Sequence, residues 1–267
     1  MSTDAAGPRP AFWPAFLRIA ALGLLALLSL LPLLAPALAA LRTRPGLDTV
    51  PAAVLAAGIL AQPALLVLAA SGIGAALAPR VGLRSLVAGP WTRERARGGW
   101  RTALLLAVAI GFTILLADLG LRRLSPGSFA GLGAHLGEGT VWVKLNALLY
   151  GGIVEEILLR FGLMTLLVWV GARLAPATFG RRPGWVLWPA NALAALAFAA
   201  GHLPGLAAAV PLDGVLVFRT LALNGAAGLA YGWLYARYGL ERAMVAHAAT
   251  HGMFWLAGSP LARLAAP

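Results

Sequence analysis

Long runs of Leu, Ala, Val and Gly, broken by short arginine-bearing connections, constrain this chain more than any other feature. A run of roughly 20 such residues, wound as a helix rising about 1.5 Å per residue, matches a hydrocarbon core about 30 Å thick. In lipid the backbone N–H and C=O groups have no water to pair with, so only helices and closed barrels can cross. The runs lack the period-two alternation of a barrel strand. The sequence therefore predicts an all-α, polytopic transmembrane helix bundle. Its segments fall near 19–41, 50–77, 102–121, 140–174, 186–200, 215–235 and 243–256. The run over 140–174 exceeds a bilayer's thickness and the last is short, so the expectation is seven or eight membrane segments.

Composition agrees: 60% of residues are hydrophobic, 11% are charged, and the mean hydropathy is +0.83. A formal charge of +12 would suggest nucleic acid as the partner of a soluble protein. Here most arginines stand between apolar runs, where they favour the cytoplasmic side and meet anionic lipid. The bilayer is thus the partner of this charge, and no nucleic acid is expected. With no cysteine in the chain, disulfides, thiolate metal sites and a cysteine nucleophile are excluded.

The organisation follows from these runs: a polar arm over 1–18, N-terminal membrane helices with a basic loop over 19–139, a second helical region over 140–258, and a tail over 259–267. Arg18 before an apolar run, with Ala37-Leu38-Ala39 after it, has the look of a signal peptide. The run is long for one, and an uncleaved first span is expected, kinked at Pro32 and Pro36. The connection over 79–101, with Arg80, Arg84, Arg93, Arg95, Arg97 and Arg101 against Glu94, should be cytoplasmic, as should the N-terminus. The connection over 125–139 is glycine-rich, and a polar turn is expected at 180–184. The near-exclusive use of Arg over Lys fits a bacterial protein, hence a bacterial inner membrane.

A charge at mid-membrane costs about 2.5–3.5 kcal/mol on insertion scales, so ionisable residues inside spans point to function. Glu155, Glu156 and Arg160 interrupt an otherwise apolar helix. Glu156 and Arg160, four apart, can pair on one face. Glu155, about 100° round an α-helix, is free to point elsewhere and to act as a base. A structural ion pair would explain Glu156 and Arg160 and leave Glu155 without a task. His202 closes the span with Phe198-Ala199-Ala200-Gly201. His247 and His251 lie one helical turn apart, as metal-binding pairs do, or as packing residues do. His135 sits in the glycine-rich loop and is read as solvated. Asp118, Arg219 and Asn224 either line the same cavity or serve packing and interfacial roles.

These residues resemble the CAAX prenyl protease and bacteriocin-processing (CPBP, or Abi) family of intramembrane proteases. The family pattern is Glu-Glu-x-x-x-Arg, then Phe-x-x-x-His, then His-x-x-x-Asn or Asp. Glu155, Glu156 and Arg160 match the first, Phe198 and His202 the second, and His247 the start of the third. The approach Gly228-Leu229-Ala230-Tyr231-Gly232-Trp233-Leu234-Tyr235 is also similar, and the likeness covers about residues 140–255. Each motif alone is weak, and their order inside apolar helices is what makes the combination specific. His251 departs from the pattern.

The resemblance implies an intramembrane endopeptidase acting on a membrane-associated protein or peptide. In that reading Glu155 and His202 activate a water, while His247 and the position of His251 stabilise the oxyanion. A neutral His donates one hydrogen bond, as Asn can. The same resemblance leaves a zinc ion open, with His202, His247 and His251 joined by Glu155 as ligands, as well as a metal-free glutamate mechanism. Two further readings compete: a non-proteolytic immunity or scaffold protein of the same fold, and a proton-coupled transporter using buried Glu and His as a relay.

Overall fold

The computed structural model describes residues 10–89, 96–133, 135–174 and 184–264. The arm before Pro10, the residues Arg93, Glu94 and Arg95, and the turn over 180–183 lie outside the described residues. Helices account for nearly all of the rest, and no strand occurs among the described residues.

The first span comprises α1 (Phe12–Leu27), a 3₁₀ stretch (Leu28–Leu33) around Pro32, and α2 (Leu34–Arg42). The tighter winding sits at a residue that cannot donate to the helical ladder, as expected of an interior proline. Then follow α3 (Ala52–Leu77), α4 (Trp100–Leu124) and a continuous helical run over 141–174. That run opens as α5 (Val141–Asn146), widens into π-helix over Ala147–Glu155 and Ile157–Met164, and ends as α6 (Thr165–Leu174). The chain continues with α7 (Gly184–Gly201), the short α8 (Leu203–Ala209), α9 (Gly214–Tyr238) and α10 (Leu240–Leu264).

Among the described residues five helical stretches are long and apolar enough to cross a membrane: Phe12–Arg42, Ala52–Arg80, Trp100–Leu124, Gly184–Ala209 and Gly214–Tyr238. The expected seven or eight segments are thus reduced to five that satisfy length and composition. The remaining two are the run over 141–174 and α10. These carry Glu155, Glu156 and Arg160, and Glu241, Arg242, His247 and His251. The polar load that sets them apart is the same load that makes them chemically interesting. Outward-facing side chains such as Leu25, Leu65, Leu116 and Phe218 are exposed by more than half, as suits a surface turned to lipid.

The two polar-bearing helices lie side by side at the centre, with α4, α7 and α9 around them and α1 and α3 on the flank of the π-helical run. Small residues set these distances. A Cβ on Gly152 would meet the Cβ of Ala248 at 2.7 Å, so the π-helical run and α10 touch backbone to backbone. A Cβ on Gly232 would collide with the Asn191 amide, whose Nδ2 donates to Leu229 O at 2.9 Å and ties α7 to α9. Close approach of this kind is how helices associate where lipid is as apolar as their side chains.

The ends are fastened by polar contacts. At one end Arg242 donates to Gly98 O at 2.9 Å and Ala96 O at 2.7 Å, and its guanidinium lies 4.1 Å from the Trp100 ring centre. Beside it Glu241 accepts from Ser85 Oγ at 2.6 Å and from Val87 N–H at 3.1 Å. At the other end Asp213 caps α9, accepting from Leu216 N–H at 2.8 Å. Hydrogen bonds from Ser128 and the backbone hold the Asp213 carboxyl below its ordinary range.

Candidate active site

The site is built from the middle of the π-helical run, the break between α7 and α8, one face of α9 and the first half of α10. The wide winding leaves its mark on hydrogen bonding: Thr165 Oγ1 donates to Arg160 O, five residues back, at 3.1 Å. π-helical segments are uncommon and concentrate at functional sites. From this run the two carboxylates face opposite nitrogens of the same imidazole. Glu156 Oε1 stands 2.8 Å from His247 Nδ1, and Glu155 Oε2 stands 3.8 Å from His247 Nε2.

Glu156 is fully buried, and its other oxygen lies 3.3 Å from Arg160 Nε, so the expected pairing of these two is present. Arg160 is itself buried and donates from Nη2 to Gly228 O at 3.0 Å. Its guanidinium stands 4.7 Å from the Phe198 ring centre and 5.6 Å from that of Tyr231. An Arg deep in a bundle needs such a set of acceptors and aromatic faces to offset its lost hydration.

The three histidines are held differently. Pro204, near the start of α8, has no N–H to extend the ladder of α7, and the chain breaks at His202. His202 N–H turns to Ala199 O at 3.2 Å, and the Phe198 carbonyl is taken by His202 Nδ1 at 2.8 Å. A carbonyl only accepts, so Nδ1 carries the hydrogen and a neutral His202 keeps its lone pair at Nε2. His247 Nδ1 faces a carboxylate oxygen, and the same reasoning leaves Nε2 of the neutral ring with no hydrogen to give to Glu155. His247 is stacked between Tyr231, at 4.6 Å between ring centres, and His251, at 5.0 Å. Phe198 meets His202 and His247 edge-on at 4.8 and 5.4 Å. Gly151 completes the packing: a Cβ there would sit 2.8 Å from His251 Nε2 and 3.4 Å from His247 Nε2.

A cavity of about 270 Å³ opens onto this group, with His202, His247 and His251 in its wall. Glu155 is outside that lining and meets it through His247. Among the described residues no hydrogen bond or ion pair joins Glu155 to His202, the partner the resemblance implies. Arg219 and Asn224 line the same cavity, while Asp118 stands behind it, 2.6 Å from Arg219 and 2.8 Å from Arg122. His135 lies apart from the other histidines, its Nδ1 on Leu136 O at 2.9 Å.

The zinc set of His202, His247, His251 and Glu155 is not gathered for a metal. Among the described residues no group of three or more His, Asp or Glu side chains stands where it could share an ion. His202 and His247 each use Nδ1 within the protein, which leaves Nε2 as the acceptor nitrogen. Three participants carried no clear signal in the sequence. Tyr231 stacks on His247 and faces Arg160, and its only trace was its place between Gly228 and Gly232. Gly151 makes room for two imidazoles. Lys144, the sole lysine, lines the cavity with its Nζ 5.1 Å from the Trp255 ring centre.

Residues 137–253 match the family model described as Type II CAAX prenyl endopeptidase Rce1-like. No curated protein and no solved structure matches the chain. The matched stretch contains the two carboxylates, Arg160 and all three histidines of the site. Over residues 137–253 the chain is thus similar to the type II CAAX prenyl endopeptidases.

Proposed function

We propose that this protein is an intramembrane endopeptidase that hydrolyses a peptide bond of a membrane-associated protein or peptide through a glutamate-activated water. The observation that carries the reading is the convergence of Glu155 and Glu156 on the two nitrogens of His247, beside a cavity that also presents His202 and His251. Glu156 is committed to Arg160 and His247 and fixes the ring. Glu155, at 3.8 Å from Nε2, is held by no short hydrogen bond to that ring and is the carboxylate left for chemistry.

In the proposed reaction a water held by His202 Nε2 gives a proton to Glu155 as its oxygen attacks the scissile carbonyl carbon. The carbonyl oxygen becomes an oxyanion that accepts a hydrogen bond from His251. The C–N bond then breaks, and the proton passes from Glu155 to the departing amine, leaving a carboxylic acid and an amine. General acid–base transfer of this kind contributes about 10²–10⁴-fold in rate. His247, stacked on Tyr231, keeps Glu155 and the donor in one frame.

The protein is further proposed to reside in a bacterial inner membrane with its N-terminus in the cytoplasm, from the arginine distribution between its helices. The test is purified protein in detergent: Glu155→Ala and His202→Ala should each abolish proteolysis while helical content stays unchanged. Proteolysis persisting in Glu155→Ala would end this reading. A cellular phenotype surviving that substitution would favour a scaffold role.

A further inference from the structure

The two ends of the bundle differ in charge, and the cavity belongs to only one of them. Cross-contacts assign the connections to sides without reference to lipid. The connection after α3 meets the start of α10: Leu240 N–H donates to Arg84 O at 3.0 Å, and Arg242 holds Ala96 and Gly98. At the far end, the connection after α4 meets the end of α10, where a Cβ on Gly258 would strike Leu136 O. The same connection meets the start of α9, where Phe129 packs with Val210 and Leu216.

By sequence, the connection between α3 and α4 and that between α6 and α7, whose described ends meet on the first side, contain seven arginines and Glu94 as the sole acid. Segments 43–51, 125–140 and 202–213, on the second side, carry Arg44 alone against Asp48, Glu138 and Asp213. The cations of the terminal turns do not reverse this. Arg101, Arg173, Arg237 and Arg242 join the first side, and Arg42, Arg122, Arg123, Lys144, Arg219 and Arg263 join the second, making eleven against seven. Positively charged connections are retained on the cytoplasmic side.

The cavity runs from the histidines toward the arginine-poor side. Its outer wall is Leu136, Glu138, Lys144, Arg219 and Trp255, residues of the 125–140 connection and of the helix ends beside it. Around it Trp142 is 51%, Trp255 41% and Leu256 73% exposed, an apolar rim continuous with the lipid-facing surface. The opening therefore lies at a membrane surface, within reach of a chain that is itself anchored in the bilayer.

We infer that the active-site cavity opens on the extracytoplasmic face of the membrane, so that its substrate is an exported polypeptide presented at that face. This rests on the proposed peptidase activity for the word substrate, whereas the orientation stands on geometry and charge. The test reads orientation without hydrolysis, so the failure of one is separable from the failure of the other.

The natural absence of cysteine makes single-cysteine variants readable with a membrane-impermeant sulfonated maleimide. Gly98→Cys marks the arginine side, and Ala130→Cys and Gly205→Cys mark the other. Neither Gly98 nor Gly205 has any atom within 4 Å of a new Cβ. Asn224→Cys marks the cavity wall. In intact spheroplasts Ala130→Cys, Gly205→Cys and Asn224→Cys should label at least tenfold faster than Gly98→Cys, and inverted vesicles should reverse the order for Ala130, Gly205 and Gly98. Labelling of Gly98→Cys from outside would overturn the inference, as would equal labelling from both faces. Labelling of Asn224→Cys only in inverted vesicles would overturn it too.

Discussion

Two of the buried carboxylate clusters in this bundle are built to opposite ends. Asp118 has both oxygens taken at 2.6 and 2.8 Å by Arg219 and Arg122, and Arg122 also donates to Gly133 O at 2.8 Å. Nothing on that acid is left to react. The other cluster has two acids for one guanidinium: Glu156 holds Arg160 and His247, and Glu155 waits at 3.8 Å from the same ring. Structural ion pairs in a membrane protein saturate their carboxylates. A catalytic arrangement leaves one unsaturated and positions it through the other.

Four substitutions can break or sharpen that contrast. The largest effect on rate is expected from Gly151→Ala, which drives a methyl group against His251 and His247. A displacement of about 1 Å at reacting groups can cost roughly 10²-fold, so kcat should fall by about that factor while helical circular dichroism stays unchanged. Full activity in Gly151→Ala would show that the imidazole stack is not the reaction frame.

Glu156→Gln comes next, and its effect should appear in stability as well as rate. Removing one partner of a buried pair costs about 3–5 kcal/mol, because Arg160 is left charged and enclosed. Thermal unfolding in detergent should shift accordingly. Asp118→Asn should cost less, roughly 1–3 kcal/mol, because Arg122 and Arg219 keep some exposure and can find water. Its kcat should stay within about threefold of the parent, since general acid–base work is done elsewhere. Equal losses of kcat in the two variants would dissolve the distinction between the clusters.

The smallest effect on stability is expected from His251→Asn, which exchanges one neutral hydrogen-bond donor for another. Activity should stay within about tenfold of the parent, against losses of about 10²–10³ when an oxyanion donor is removed outright. Elemental analysis of both proteins checks the metal-free mechanism: zinc at one equivalent in the parent and lost in His251→Asn would replace it with a metal-dependent one.

Much of this architecture was legible in the sequence, and particular residues show why. Apolar runs bounded by Arg mark helix ends wherever lipid forbids anything else, so Trp100–Leu124 and Gly214–Tyr238 follow the expected 102–121 and 215–235 closely. The pairing of Glu156 with Arg160 was readable because it lies within one helix, four residues apart. The run over 141–174 was readable as too long for its bilayer, but its π-helical winding was not. Hydrophobic spacing carries no mark for a widened helix whose gain lies in contacts with α10. Of the expected seven or eight membrane segments, five among the described residues meet length and composition, because polar residues lower the apolarity of the two helices that pack at the centre.

Sequence alone determined the class of the molecule, a helical membrane bundle, and singled out its buried ionisable groups, because burial in lipid leaves few backbone solutions and makes every buried charge conspicuous. Tertiary structure decided which of those groups meet. The convergence of two acids on His247, the stacking of that ring on Tyr231 and the break that aims His202 depend on contacts between helices far apart in the chain. So does the opening of the cavity away from the arginine-rich connections. Such contacts are fixed by where Gly151, Gly152 and Gly232 let neighbouring helices touch, and a periodicity within one helix cannot encode them.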